Sequence, residues 1–372
     1  MRLLNTVLFL LFVLAISCKD PFSPEVNAEN KDLLVVEGHL TIGGTTRFIL
    51  SRSGNLPDPV PRIPEPNARV LVEGSDGTII MGISNQNGEC NLNTQNLDIA
   101  KSYRVKIIRA NTKVYETDFL KNIATPEIDS LNFKIERGGF EVYVNTHDPN
   151  SQTKFYSWDF SETWEVRSGL PSLWEFKDGR IIERLVSVER CWQNNASSSI
   201  LLGSTERLSD DRVSLFPLTH IQGTSIKLSQ LYSISVQQCG LTREAYQYME
   251  TMKKNTEEIG TIFDPQPSEL KGNIRCVTRP EEQVIGWISA GTVSEKRIFI
   301  HKEDKPATWV YREACEPVLT VSSDSVSFYT QMDFLIQSKI WKDGDTSIII
   351  GPKACLDCTT RGSNVKPSFW PN

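Results

Sequence analysis

The sequence lacks the local motifs that common hydrolases, metalloproteases and nucleotide-binding enzymes require. It has no GxSxG nucleophile elbow, no HExxH zinc motif, no GxxxxGK[ST] phosphate loop and no DxDxDG calcium loop. A glycosidase needs only two well-placed carboxylates, and the candidates are Glu162, Glu165 and Glu175. The alternative is that these glutamates are ordinary residues on the solvent-exposed faces of strands. We therefore assign no catalytic residue and no cofactor, and we expect a protein that is not an enzyme. A carbohydrate-active hydrolase is the alternative.

Basic clusters and metal-ligand pairs are also missing. The net charge is -6, and no group of lysines and arginines alternates with aromatic residues, which argues against nucleic-acid binding. None of the four histidines forms a ligand pair at zinc spacing. The CxxC at Cys355 and Cys358 lies near the C-terminus among Gly, Pro and Ser, so disulfide partners are favoured there over a zinc or redox site. We expect no metal.

Only one long apolar run is present, and it lies at the N-terminus. Arg2 precedes about a dozen apolar residues, as in an export signal, and the run is shorter than the roughly 20 residues that a membrane-spanning helix needs. The letters AIS then lead into Cys18, which resembles a bacterial lipobox. Residues 1–17 are predicted to be a lipoprotein signal peptide, Cys18 to carry acyl chains such as palmitate, and residues 18–30 to be a tether. A plain secreted protein is the alternative.

The remaining cysteines are typical of an oxidising compartment. If Cys18 is acylated, seven of the eight cysteines remain, and Cys90 would be the odd free thiol. The others are disulfide candidates whose pairing the sequence alone does not rank. These six are Cys191, Cys239, Cys276, Cys315, Cys355 and Cys358.

Residues 31–125 have the short alternating runs of an antiparallel β-sandwich. The runs "LLVVEGHL", "ARVLVEG" and "SYRVKII" are separated by turn signals, of which Asn87-Gly88 is the strongest. The pattern predicts an immunoglobulin-like or transthyretin-like sandwich.

Residues 126–372 are predicted to form a larger β-rich domain with one amphipathic helix. Alternating runs such as "KFYSWDFSETWEV" continue, whereas "LTREAYQYMETMKKN" has a single apolar stripe at helical spacing, with Thr242 as its cap. All eight tryptophans lie in this part. Trp158 and Trp164 are separated by an even number of residues, so on one strand they would share a face. They could stack a glycan or peptide ligand, or form a pair in the core.

Five segments together resemble one known family. They are "VVEG" at 35–38, "LYSISVQQCGLTREAYQYM" at 231–249, "GTIFDPQPSELKGNI" at 260–274, "VIGWISAGTVSEKRIFI" at 284–300 and "CLDCTTRGSNVKPSFW" at 355–370. The sequence is similar to the Bacteroidetes lipoproteins catalogued as domain of unknown function 4249 (DUF4249).

The resemblance implies a place and a role. Members are exported lipoproteins that are often encoded beside TonB-dependent outer-membrane receptors. The resemblance therefore implies an accessory or binding component of nutrient uptake, lipid-anchored to the outer membrane, with the periplasmic and cell-surface faces both open. It supplies no catalytic residue. A structural or adhesive surface protein remains a further alternative.

Overall fold

A computed structural model describes residues 32–54, 62–257, 270–312, 315, 318–342 and 345–372 of the chain. The predicted signal peptide, the lipidation residue Cys18 and the tether over 18–30 lie outside the described residues. Within the described part of the chain, no helix combines the length and the apolar character needed to cross a bilayer.

The chain is mainly β, which confirms the predicted fold class. The first strands are β1 Leu34–Thr41, β2 Thr45–Arg52, β3 Ile63–Pro64, β4 Arg69–Gly74, β5 Ile79–Ile83, β6 Glu89–Asn93, β7 Tyr103–Ile108, β8 Val114–Thr117 and β9 Asn122–Ile123. Next come β10 Ile128–Glu136, β11 Gly139–His147, β12 Phe155–Arg167, β13 Trp174–Lys177, β14 Arg180–Glu183, β15 Arg190–Ala196, β16 Leu201–Ser204, β17 Arg212–Gln222 and β18 Tyr232–Leu241. The last elements are helix α1 Arg243–Glu257, β19 Ile274–Cys276, β20 Val284–Gly286, β21 Ser289–Gly291, β22 Val293–Ile300, β23 Leu319–Ser322, helix α2 Val326–Gln331, β24 Phe334–Lys342, β25 Asp345–Pro352 and helix α3 Lys353–Leu356.

The first sandwich consists of two sheets. One has the order β3-β2-β1-β21-β9, with β20 beside β1 and β6 beside β2, and the other has the order β19-β8-β7-β4-β5. Alternation along the strands turns one set of side chains inward, as Val70 and Val72 on β4 and Val105 and Ile107 on β7 illustrate. The apolar face of each sheet is thus buried against the other.

Three strands of this sandwich come from late in the chain, in contrast to the predicted division at residue 126. β20 and β21 pair in parallel with β1, and β19 pairs with β8. Ile288 and Ala290 are fully buried in the first core. A strand of three residues is too short for its alternation to show which sheet it joins. The predicted boundary therefore placed these strands in the second domain, because they follow residue 126 in the sequence.

The second sandwich packs a three-stranded sheet, β10-β11-β17, against a sheet of order β15-β12-β18-β22 with β16 beside β12. Phe140 and Val142 of the first sheet share a core with Trp158 and Val236 of the second. Strand β12 is thirteen residues long and pairs with three other strands. Its opposite face, away from this core, carries Ser157 and Asp159.

Helix α1 confirms the predicted amphipathic helix. The backbone N–H of Ala245 donates to Thr242 Oγ1 over 3.2 Å, so Thr242 caps the helix as predicted. Ala245 and Tyr248 are buried, and the helix packs on Phe155 and Leu241. The predicted end of the helix, at Gly260, lies outside the described residues.

The C-terminal residues form a small third sheet of order β23-β25-β24. Val326 of α2 packs on Ile336, Ile348 and Ile350 of that sheet. The hairpin of β13 and β14 adds Phe176 to the same cluster.

Candidate functional site

A cavity of about 350 Å³ lies where the first sandwich meets the second. Its walls come mainly from five parts of the chain: residues 35–39 on β1, residues 157–159 on β12, residues 197–201, which join β15 to β16, one face of α1, and residues 285–289, which join β20 to β21. The lining residues of α1 are Tyr248, Met249 and Met252. The volume is within the range of small-molecule sites, which often lie between domains.

A break in strand pairing opens the cavity on the side of β1. β1 pairs with β20 up to Val36 and resumes with β21 at His39, so Gly38 lies in the gap. Gly38 has φ +148° and Gly286 has φ +137°, and a Cβ on Gly286 would lie 2.1 Å from the carbonyl oxygen of Val36. Glycine is therefore required at Gly286, because a side chain there would collide with the backbone of β1.

Small side chains on the sheet leave room beneath helix α1. Ser157 on β12 lies directly opposite Cys239 on β18, and Asp159 lies two residues further along on the same face. A larger side chain at Ser157 or Cys239 would occupy the space that the cavity takes.

Asp159 is one of two acids in this wall, and it has no hydrogen-bond or ion-pair partner among the described residues. Its side chain is exposed to solvent, and desolvation by nearby protein atoms raises the pKa of its carboxyl group. Glu37, the other acid in the wall, is exposed and lies 3.7 Å from the guanidinium of Arg62.

Cys239 and His39 also line the cavity, so a thiol, an imidazole and a carboxylate are present together. Burial, and then the charge of Asp159, raise the pKa of Cys239 to about 12, so it is a thiol at neutral pH. Burial lowers the pKa of His39 to about 4, although its Nε2 lies 3.3 Å from the carbonyl oxygen of Gly291. No hydrogen bond joins Cys239 to His39 within the described structure. The three groups therefore lack the nucleophile–base contact that covalent catalysis uses.

The six disulfide candidates divide into two groups. Cys191 bonds to Cys358 and Cys315 bonds to Cys355, with Cα–Cα distances of 5.6 and 5.7 Å. Cys239 is unpaired in the cavity wall, and Cys276 is unpaired and buried in the first core, which corrects their assignment as disulfide candidates. They lie in different sheets, so the fold does not bring them together.

Cys90 is a free thiol, buried in the same core as Cys276. Burial raises its pKa, and a Cβ on Gly82 would lie 2.9 Å from its Sγ. It is a packed core residue.

Trp158 and Trp164 share one face of β12, but that face is the core. Trp158 is 1% exposed, stacks on Phe216 with 4.4 Å between ring centroids, and donates its indole N–H to Gln238 Oε1 over 2.8 Å. Trp164 is 8% exposed and donates to Gln193 Oε1 over 2.7 Å. The prediction that the two rings form a platform for a glycan or peptide is therefore corrected, because neither ring has an open face.

The three carboxylates considered for glycoside hydrolysis do not form a facing pair. Glu162 points into the second core, where it accepts hydrogen bonds from Lys227 Nζ at 2.6 Å and the Tyr232 hydroxyl at 2.7 Å. Glu165 points to the other face of β12, because the two glutamates are an odd number of residues apart. Glu175 lies on the separate hairpin strand β13.

In the part of the chain that the structure describes, no group of three or more His, Cys, Asp or Glu side chains is arranged to hold a metal ion.

A family model described as domain of unknown function (DUF4249) matches residues 19–297. The chain belongs to the DUF4249 family. This confirms the predicted DUF4249 assignment; the segment at 355–370 lies outside the matched residues. No curated protein matches the chain.

Two solved structures show only a weak likeness to this DUF4249 protein. The crystal structure of the calcium-binding domain CBD12 of CALX1.1 is 10% identical, covers 71% of this chain and 99% of its own, and has a TM-score of 0.14. CBD12 from CALX1.2 is 11% identical, covers 72% of this chain and 100% of its own, and has a TM-score of 0.15. At these TM-scores the likeness carries no argument about fold or function.

Three of the segments that carry the DUF4249 resemblance line the cavity. Residues 35–38 supply β1, residues 231–249 supply Cys239, Tyr248 and Met249, and residues 284–300 supply Trp287 and Ser289. Sequence reasoning missed Asp159 as a site residue. The available signal was its position, one residue after the core residue Trp158 and therefore on the opposite face of the strand.

Proposed function

We propose that this protein is an exported, membrane-anchored lipoprotein that acts as a non-catalytic binding component of a TonB-dependent outer-membrane uptake system. The observation that supports binding is the cavity of about 350 Å³ between the two sandwiches. Apolar side chains such as Met249, Met252 and Trp287 share its wall with a few polar groups, which is the usual composition of a small-molecule site.

The proposed anchor is Cys18, acylated and tethered to the folded body by residues 18–30. Each CH2 buried in a bilayer contributes about 0.8 kcal/mol, so several acyl chains hold a folded domain firmly at a membrane. The tether spans at most about 45 Å when fully extended. The described chain begins at Asp32, whose carboxylate lies 3.2 Å from the guanidinium groups of both Arg52 and Arg109. The proposal thus keeps the cavity near the membrane, within reach of a receptor.

Affinity purification from native membranes tests the anchor and the partner together. The tagged wild-type protein is cross-linked in its own host, solubilised in mild detergent and purified, and its partners are identified by mass spectrometry. We expect a TonB-dependent receptor to be enriched with the wild type and with a Ser17→Ala control. We expect Cys18→Ala to leave the membrane fraction and to lose the receptor.

Two results would contradict the proposal. One is a wild-type preparation without any receptor under these conditions. The other is a Cys18→Ala protein that stays in the membrane fraction with its receptor, since a lipid anchor at Cys18 would then be unnecessary.

A further inference from the structure

The charge of the cavity has one sign. Asp159 and Glu37 are the acids in its wall, and no lysine or arginine is among the described residues that line it. Arg62, outside the wall, lies 3.7 Å from Glu37, so the negative charge without a partner is that of Asp159. His39 adds no positive charge at neutral pH, because burial lowers its pKa to about 4. A cation is therefore attracted to this space and an anion is repelled.

Asp159 differs from the other acids of its strand in having no partner. On β12, Glu165 lies 2.9 Å from Arg167 and 2.8 Å from Arg190, and Glu162 accepts from Lys227 and Tyr232. Asp159 is exposed on the cavity wall and has neither a hydrogen bond nor an ion pair within the described residues. A carboxylate without a protein counter-charge is free to pair with the cationic group of a ligand through a charge-assisted hydrogen bond.

A second polar group in the wall is also unsatisfied. Ser289 is 8% exposed, and its Oγ has no hydrogen-bond partner among the described atoms. Buried hydroxyl groups are usually hydrogen-bonded, so Ser289 offers a ligand one donor or acceptor.

The side of the wall formed by α1 and the segment between β20 and β21 suits an apolar body that carries the cation. The rings of Tyr248 and Trp287 lie 5.6 Å apart, and aromatic faces attract organic cations. Met249 and Met252 on α1 line the same side, and flexible thioether side chains adapt to ligand shape.

We infer that the cavity binds a small amphipathic organic cation, with its ammonium group at Asp159 and its apolar body against Trp287, Tyr248 and Met252. This assignment rests on the proposed role as a binding component and specifies the class of ligand. The thiol of Cys239 lies beside the bound molecule as a small neutral wall residue.

Calorimetry with three probes of similar size tests the inference. The probes are 2-phenylethylammonium, the neutral 2-phenylethanol and the anionic 3-phenylpropionate, titrated into the full mature protein in mild detergent, with a detergent blank for each. We expect the ammonium probe to bind about tenfold more tightly than the alcohol, and the carboxylate to bind least. This comparison uses the wild-type protein alone, so it holds even if a variant fails to fold.

Two variants locate the charge that the probe detects. Asp159→Asn is expected to bring the ammonium and alcohol affinities to within about twofold of each other. Glu183→Gln removes an exposed carboxylate outside the cavity wall and should keep the wild-type preference. Circular dichroism and a melting curve confirm that each variant is folded.

Equal binding of the three probes, a preference for the carboxylate, or an unchanged preference in folded Asp159→Asn would overturn the assignment to cations. Absence of binding by every probe would overturn it as well. None of these results changes whether a receptor co-purifies with the wild type, so the proposed function succeeds or fails separately.

Discussion

At the scale of single residues, His39 shows how burial changes a side chain's chemistry. It lies on β1 between the two sandwiches, and burial lowers its pKa from 6.5 to about 4 despite its contact with the carbonyl oxygen of Gly291. The folded protein therefore keeps this imidazole neutral in a pH range where the unfolded chain protonates it.

The pH dependence of stability follows from this difference. Well above pH 6.5 both states carry neutral His39, so its contribution to stability is constant. As the pH falls through 6.5 the unfolded state takes up a proton that the folded state does not, and stability falls towards pH 4. We expect His39 to account for a loss of about 2 kcal/mol between pH 7.5 and 5. Urea unfolding at the two pH values should show a smaller loss in His39→Gln than in the wild type.

The exposed His301 supplies the control, because its substitution removes an imidazole from the surface and not from the position between the two sandwiches. His301→Gln should lose as much stability as the wild type between the same pH values. An unchanged pH slope in His39→Gln would show that acid sensitivity comes from other groups.

At the scale of elements, helix α1 covers the cavity and depends on its cap. Thr242 satisfies the backbone N–H of Ala245, and one turn further along Tyr248 and Met249 reach the cavity wall. The start of the helix therefore affects the site directly.

Thr242→Ala should destabilise the protein by about 1 kcal/mol, because one N–H at the start of the helix loses its acceptor. Hydrogen exchange should increase first over Arg243–Glu257. Thr251→Ala is the matched control, since the Thr251 hydroxyl donates to the carbonyl oxygen of Gln247 within the same helix. There alanine has the higher helix propensity, so the change should be neutral or slightly stabilising. Equal losses in the two variants would contradict the role of Thr242 as the cap.

At the scale of the whole molecule, a disulfide ties the C-terminal region to the second sandwich. Cys191 on β15 bonds to Cys358 across a sequence separation of 167 residues, and Trp192 exchanges backbone hydrogen bonds with Ser363 beside it. Trp370 is 3% exposed and packs edge-on against Trp192, with 6.3 Å between ring centroids. The end of the chain is therefore part of the folded body.

Removing this disulfide should cost more than removing the other one. The double variant Cys191→Ser/Cys358→Ser should lose about 3–5 kcal/mol, because a long loop in the unfolded chain is no longer closed. The Cys315–Cys355 disulfide closes a loop of only 40 residues. From loop entropy alone, its double serine variant should lose about 1 kcal/mol less stability than the Cys191→Ser/Cys358→Ser variant. Denaturant unfolding of both variants makes the comparison. A larger loss from the 315/355 pair would contradict this ranking.

Local sequence pattern determined the class of structure and some of its elements. Alternation in β4 and β7 predicts strands with one buried face, and the apolar stripe after Thr242 predicts helix α1, because both signals depend on neighbours within a few residues. The even spacing of Trp158 and Trp164 places them on one face for the same reason. The lipid anchor at Cys18 and the partnership with a receptor stay predictions of the sequence.

Tertiary structure decided the features that depend on distant residues. Only the fold shows that Ile288 returns to the first core, that Cys191 meets Cys358 while Cys239 stays free, and that the face with Trp158 is closed. The cavity at Asp159 depends equally on long-range contacts, since it exists only where β1, β12, α1 and the β20–β21 segment meet. A strand's own residues specify which of its faces is apolar. Which sheet packs on that face depends on the total apolar surface that the whole chain buries on folding.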